Sequence, residues 1–517
     1  MDGTVPVVTS VKDIYTEDAW GTQETRWSNL ISTFEKNYGR KPTFVSRSPG
    51  RVNIIGEHID YSLYPVLPMA ITADAIFAVS CPDDASSSSS NTFKIRIANV
   101  QAEKFPSHEF DIPYDSVEID SKVHEWTNYF KCGLKGALQL LRKQFGDDFR
   151  PKSMDVLMDG TVPAGGGLSS SAAFVSGSAL AVMVANGVEH VDKMDLTEIA
   201  IVAEREVGVN SGGMDQSASV LSLRGNALYV SFEPKLEARP VQFPKTQPEL
   251  AFLIAQSFVA ADKHVTGPVC YNLRVVECSL AASYLHAVLN KTSEPLPKDN
   301  GPLGVSLHGF HKAYYNERKT TTDINEQLSE LVAVTKSTLS KEDGYTREEI
   351  AQAIGMTVPA LQSRFESAFP VRAEKFKLRQ RALHVFSEAL RVAQFLALLE
   401  HPAGVLTHAG AGTEAYNERL GQLMNDTQDS CRELYECSCP ELDELCELAR
   451  RAGSYGSRLT GAGWGGCSVH LVPADRIEAV KEAWRREYYC KRELTEEQKE
   501  AAIVESRPGS GSAVLIV

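Results

Sequence analysis

Val162-Pro163-Ala164-Gly165-Gly166-Gly167-Leu168-Ser169-Ser170-Ser171-Ala172-Ala173 is the stretch on which the reading of this chain turns. Three glycines give way to three serines, then to an apolar, alanine-rich run that ends at Ala185. That run reads as a buried helix, and Met154 to Met158 reads as a strand ahead of it. The glycines therefore sit in a strand-to-helix turn. The first amides of such a helix have no intrahelical partner, and its macrodipole is positive there. Glycine lets backbone approach a ligand closely, and serine adds hydroxyl donors or oxygen ligands for a hard cation. The combination suits a polyphosphate. It is not the common phosphate loop, because no Lys precedes the serines and the G-x-G-x-x-G spacing is absent. An ordinary Gly/Ser turn that merely starts a helix is the competing reading.

Working outward, Gly50-Arg51-Val52-Asn53-Ile54-Ile55-Gly56-Glu57-His58-Ile59-Asp60-Tyr61 packs Glu57, His58 and Asp60 just behind a glycine. Carboxylates accept from hydroxyls and imidazole can do either, so the cluster suits a polyol; an exposed charged loop is the alternative. Gly212-Gly213-Met214-Asp215-Gln216 offers Asp215 as a base for moving a hydroxyl proton, or as a turn residue capping the next helix. Gly456 to Gly466 holds five glycines in eleven residues, a second place where backbone can meet a ligand, or a plain connecting loop. Trp126 and Tyr129, three apart on a helical pattern, can stack on a nucleobase or pack in the core.

A chain of 517 residues exceeds one ordinary core, so two domains are expected. A net charge of −14 argues against a general nucleic-acid or anionic-membrane binder. The first residues lack the basic and apolar regions of a signal peptide, and no run of 18 apolar residues stands out. Ten scattered cysteines fit a reduced, cytoplasmic setting. Cys431, Cys437, Cys439 and Cys446 lack the C-x₂-C spacing and neighbouring His of common zinc sites.

Along the chain, Trp27, Leu30, Phe34 and Tyr38 predict an amphipathic helix. Ala73–Ser80 and Phe93–Val100 predict strands, Ser86 to Ser90 a low-complexity surface loop, and Trp126–Leu141 and Leu196–Val207 helices. Pro240, Pro244 and Pro248 mark a boundary, giving an N-terminal lobe over 1–240 and a C-terminal lobe over 241–517. The second lobe opens on a strand at Ala251–Ala255, turns helical from about Tyr271, and ends on strand-like runs at Gly466–Val472 and Ala513–Val517. The expected fold is α+β and two-lobed, with mixed or antiparallel sheets flanked by helices and the active site between the lobes.

Taken together, these motifs resemble the GHMP small-molecule kinases, and the galactokinases in particular. The Gly50–Tyr61 run is similar to the galactokinase signature, Pro163–Ala173 to the phosphate-binding motif, and Gly456–Gly466 to the third signature segment. The likeness covers the chain from about Phe44 to its end. It implies ATP-dependent phosphorylation of D-galactose at C1, with ATP and Mg²⁺ as cofactors. Asp215 is implied as the catalytic carboxylate with Arg51 as its partner. Glu57 and His58 are implied at the sugar C6 hydroxyl, Asp60 at C3 and C4, and Gly212 and Tyr271 complete the sugar site. Gly165, Gly167, Ser169 and Ser170 are implied at the ATP phosphates, Trp126 and Tyr129 at adenine, and Lys263 near the nucleotide. Ser171 and Glu204 are implied as Mg²⁺ ligands. Small molecules are thus the expected partners, with no nucleic acid and no membrane. Two neighbouring readings stay open: a kinase for N-acetylgalactosamine, and a galactose- and ATP-binding transcriptional sensor with a regulatory protein partner. The complete Ser169–Ala173 run, with Asp215 and Arg51 present, favours the enzyme.

Overall fold

The computed structural model describes residues 3–82, 91–120, 123, 125–163, 165–204, 212–259, 267–290, 294–318, 322–368, 371–402 and 413–517. Lys263 and the Ser86–Ser90 stretch lie outside the described residues.

Thirteen strands are described: β1 Val7–Val8, β2 Phe44–Ile55, β3 Leu67–Ser80, β4 Thr92–Asn99, β5 His108–Pro113, β6 Met154–Gly160, β7 Asn226–Ser231, β8 Glu237–Gln242, β9 Leu250–Gln256, β10 Gly456–Thr460, β11 Cys467–Pro473, β12 Ile503–Ser506 and β13 Ala513–Ile516. The first helices are α1 Trp20–Tyr38, α2 Thr127–Phe145, α3 Ser170–Ala185, α4 Lys193–Glu204 and α5 Met214–Leu221. Then come α6 Tyr271–Leu289, α7 Leu307–Arg318, α8 Ile324–Thr338, α9 Arg347–Ala353, α10 Val358–Phe365 and α11 Leu378–Glu400. The last are α12 Glu414–Ser430, α13 Pro440–Arg451, α14 Ile477–Glu487 and α15 Glu496–Ala501.

The strands build a mixed seven-stranded sheet in the order β1-β13-β2-β3-β6-β4-β5 and a four-stranded sheet β10-β11-β9-β12. A two-stranded ribbon, β7-β8, is tied to the residue ahead of β3 by a pair of backbone hydrogen bonds between Val66 and Val230, both at 3.0 Å. Residues alternate across the large sheet as a period of two requires. Phe77, Val79 and Val156 face the main core, while Ile76, Ala78 and Leu157 face a second cluster with Trp27, Leu30 and Phe34 of α1. The amphipathic pattern of α1 thus covers the back of the sheet. On the front lies α3, where every residue from Ala172 to Met183 is buried. A helix apolar on all sides is buried on all sides. It packs against β2 and β3 and against α2, α4 and α5.

The second lobe sets α12 and α13 against β10 and packs α6 and α8 on α11. By length and composition α11 could cross a membrane. It packs instead within the second lobe, with Arg381, His384 and Glu388 buried along it.

Three expectations need correction. Pro240 lies within β8, opposite Leu228, rather than at a boundary. Proline is tolerated there because β8 pairs only with β7 and is an edge strand. Residues 456–460 of the third glycine-rich motif form β10 rather than a loop. The division at residue 240 does not follow the sheets to the end of the chain. β13 is inserted in the large sheet between β1 and β2, so the last strand lies with the first lobe.

Candidate active site

All twelve residues of β2 are buried, and its pairing with β3 slips at Pro49/Arg51 and again at Asn53/Ile55. The first irregularity brings β2 against the glycine turn. The amide of Arg51 donates to Leu168 O at 3.0 Å. A Cβ on Gly50 would stand 2.8 Å from that same oxygen, so a side chain there would displace the turn. Arg51 is buried, and its guanidinium spans two elements. Nε and Nη2 reach Asp215 Oδ1 at 2.9 and 2.7 Å, and Nη1 donates to Gly167 O at 2.7 Å. Asp215 is the second residue of α5, where a carboxylate also meets the positive end of the helix dipole.

The turn leads into α3 through Ser169, which holds a left-handed φ of 59°. Its Oγ is buried and has no hydrogen-bond partner among the described residues, beside the first amides of the helix, which have no intrahelical partner. Gly167 has φ 72°, and a Cβ there would lie 2.8 Å from Thr460 O. The glycine turn and the third glycine-rich segment therefore meet backbone to backbone. Ser170 and Ser171 open α3, and Glu204 ends α4, where it accepts from Gln216 Nε2 of α5. Trp126, with Nε1 donating to Pro106 O at 3.1 Å, and Tyr129 lie 6.1 and 6.2 Å, centroid to centroid, from Phe174 on α3. Both are partly buried, so their packing leaves surface beside the start of α3.

Gly56 to Tyr61 is buried throughout, not an exposed charged loop. Asp60 Oδ2 accepts from the amide of Gly212 at 3.1 Å. A Cβ on Gly212 would strike Asp60, so glycine is needed for the approach. Burial pushes the Asp60 carboxyl up to about 6; the Asp215 charge adds to the rise and His58 opposes it. Tyr271, the first residue of α6, has its ring centroid 5.7 Å from that of His58 and 5.6 Å from that of Tyr61. Its phenol is raised far above the usual range by burial and by Asp60, Asp215 and Glu57. Arg51, Glu57, Asp60, Asp215 and Tyr271 thus share one electrostatic neighbourhood.

Glu57 and His58 are engaged within the protein. Glu57 Oε2 pairs with Arg458 Nη2 and accepts from Gly461 N at 3.0 Å. His58 Nε2 meets Ala462 O at 2.9 Å, so that nitrogen carries the proton and donates. Nδ1 lies 2.9 Å from Tyr61 OH, and Tyr61 OH lies 2.6 Å from Tyr435 OH. Three residues that hold this segment had no assigned role in the sequence: Arg458, Tyr435, and Glu388, whose Oε1 accepts the Gly56 and Glu57 amides at 2.8 and 3.1 Å. Arg458 sits inside a quoted motif, where a charge among glycines is the only cue. Tyr435 and Glu388 stand in the second lobe with no motif around them. A carboxylate in the apolar α11 is the sole trace of Glu388.

The geometry is that of a small-molecule kinase cleft: a helix N-terminus, an Arg–Asp pair beneath it and a carboxylate-rich pocket alongside. The GHMP kinase N-terminal domain model matches residues 128–222 and the GHMP kinase C-terminal model residues 414–490. The galactokinase galactose-binding signature matches residues 32–81. A galactokinase from Saccharomyces cerevisiae is 42% identical over 508 residues, covering 94% of this chain and 94% of its own length. One from Dictyostelium discoideum is 39% identical over 497 residues, covering 94% and 92%. Among solved structures, Lactococcus lactis galactokinase complexed with galactose matches with a TM-score of 0.63 at 23% identity, covering 94% of this chain and 99% of that one, which supports the fold. The chain belongs to the galactokinase family.

Proposed function

We propose that the chain catalyses ATP + D-galactose → α-D-galactose 1-phosphate + ADP. The observation that carries this reading is the Arg51 guanidinium, which joins Asp215 to Gly167 O directly under the first turn of α3. Asp215 takes the proton of the C1 hydroxyl, and that oxygen forms the new bond to the γ-phosphorus as the bond to ADP breaks. Arg51 holds the carboxylate in place and offsets charge growing on the transferred group. Asp60, braced by Gly212, accepts from the C3 and C4 hydroxyls. Glu57 and His58 line the C6 side, and Tyr271 closes the sugar pocket.

The α3 N-terminus with Gly165, Gly167, Ser169 and Ser170 receives the triphosphate, and the Oγ of Ser169, which has no partner among the described residues, fits that role. Trp126 and Tyr129 flank adenine, with Lys263 near the nucleotide. A serine hydroxyl and a carboxylate are hard oxygen donors of the kind Mg²⁺ takes, so Ser171 and Glu204 would hold it. Bound there, Mg²⁺ supplies positive charge against the phosphates. The cleft lies between lobes that divide in the stretch between β8 and β9, with the last strand returning to the first. Ten cysteines scattered through 517 residues support a reducing cytoplasm as its setting.

The test is ADP release by the purified chain with galactose, N-acetylgalactosamine and glucose in turn. Turnover with galactose well above the other two is expected. No ADP with galactose removes the reading, and equal kcat/KM for the N-acetylamino sugar removes its substrate.

A further inference from the structure

Gln216 follows Asp215 on α5, and it is 0% exposed. Its Nε2 donates to Oε2 of Glu204, the last residue of α4, which is 1% exposed. A carboxylate only accepts, so the amide nitrogen and not the amide oxygen faces it. Burying a carboxylate is costly unless it is paired and hydrogen-bonded. α4 and α5 pack on each other, and both pack on α3, which Ser170 and Ser171 open. Burial first, and the charge of Glu204 next, raise the phenol of Tyr129 on α2, so Glu204 is within electrostatic reach of that ring. Successive helical residues point about 100° apart. α5 uses two such directions for two carboxylates: Asp215 turns to Arg51, and Gln216 turns to Glu204.

We propose that Gln216 is a positioning residue for the divalent cation: its amide fixes Glu204 so that the carboxylate is presented to the ion together with Ser171. The inference rests on the reading of Glu204 as a Mg²⁺ ligand and goes beyond it to the group that aims the ligand. A carboxylate that ligates a metal is itself hydrogen-bonded, and that bond sets its orientation. The kind of donor matters. A lysine or arginine in this place would neutralise Glu204 and compete with the cation. An amide orients the carboxylate through a directed bond and leaves its full negative charge for a divalent ion. Carrying the donor next to Asp215 also ties the spacing between base and cation to one turn of helix.

Mn²⁺ binding to the full chain tests this, read by electron paramagnetic resonance with AMP-PNP present and galactose absent. Gln216→Met keeps the length and volume of the side chain and removes the donor. Its Mn²⁺ affinity is expected to fall about 10- to 100-fold. Turnover with galactose should then need correspondingly more Mg²⁺, with kcat largely restored at saturation and KM for galactose within about twofold. A residue that merely packs would lower the thermal midpoint and leave the Mg²⁺ requirement where it was. Gln216→Asn holds the amide one methylene short and should weaken Mn²⁺ likewise, which keeps the test open if the Met variant folds poorly. Adding Gln216→Met to Glu204→Gln should cost no further affinity, because the amide acts through that carboxylate. The proposal is overturned if both Gln216 variants bind Mn²⁺ as the parent does, or if the Gln216 and Glu204 substitutions weaken binding additively. Unchanged Mn²⁺ affinity in Glu204→Gln would remove Glu204 as a ligand and this inference with it, while the sugar reading stands or falls separately on ADP release.

Discussion

The carboxylate of Glu388, on α11 of the second lobe, accepts the backbone amide of Gly56 at 2.8 Å. The same Oε1 takes the Glu57 amide at 3.1 Å, while Oε2 is held by Arg391 Nε and Thr427 Oγ1, both at 2.8 Å. His384, one turn earlier on α11, meets Glu57 O at 2.9 Å. The segment that carries Glu57, His58 and Asp60 is therefore anchored by its backbone to the opposite lobe.

Burial alone would raise the Glu388 carboxyl, but Arg391, His384 and Arg458 outweigh it and bring the group down to about 2. Between that value and the ordinary carboxylate range the unfolded chain binds more protons than the native one. The contribution of Glu388 is thus fully present above about pH 4.5 and lost as pH falls towards 2. Glu388→Gln should be less stable than the parent at pH 7, with the gap narrowing from about pH 4.5 down to about pH 2. Urea unfolding at a series of pH values measures it. A gap independent of pH would show that the charge of Glu388 contributes nothing.

Arg458 and Glu57 form an ion pair whose side chains are almost fully buried. Arg458→Met leaves a carboxylate without its countercharge and should cost about 3–5 kcal/mol. The double variant with Glu57→Gln should recover a large part of that loss, because no unpaired charge remains. Denaturant midpoints for the two single variants and the double variant measure the coupling; strict additivity would refute it.

Asp215→Asn keeps the size of the side chain and one acceptor oxygen but cannot take the C1 proton. Turnover should fall about 10²–10⁴-fold, the usual range for general-base help. Galactose affinity by calorimetry should change little, because the lost interaction is made mainly in the transition state. Turnover within a few-fold of the parent would exclude Asp215 as the base.

Asp60 titrates near 6 because it is buried beside Asp215. Above that pH a carboxylate is a pure acceptor for hydroxyls, and below it the protonated carboxyl loses part of the capacity proposed for Asp60. The kcat/KM for galactose should therefore fall as pH drops through about 6. In Asp60→Asn the profile should flatten there at a much lower level. A profile unchanged by the substitution would assign the titration to another group.

Short windows of the sequence carried much of this. The strand, glycine turn and apolar helix around Gly165 to Ala185 are legible because turn chemistry and hydrophobic period act over a few residues. The same is true of α1, of α2 and of the Arg51, Asp60 and Asp215 motifs, each of which has its own glycine beside it. The tertiary structure alone decided which of these meet and what holds them. It put Arg458 on Glu57, Glu388 on Gly56, Thr460 O against Gly167, and β13 between β1 and β2. Each of those pairs joins residues hundreds of positions apart. Such a contact depends on how whole elements stack, and nothing within a turn or a helical repeat on either side encodes it.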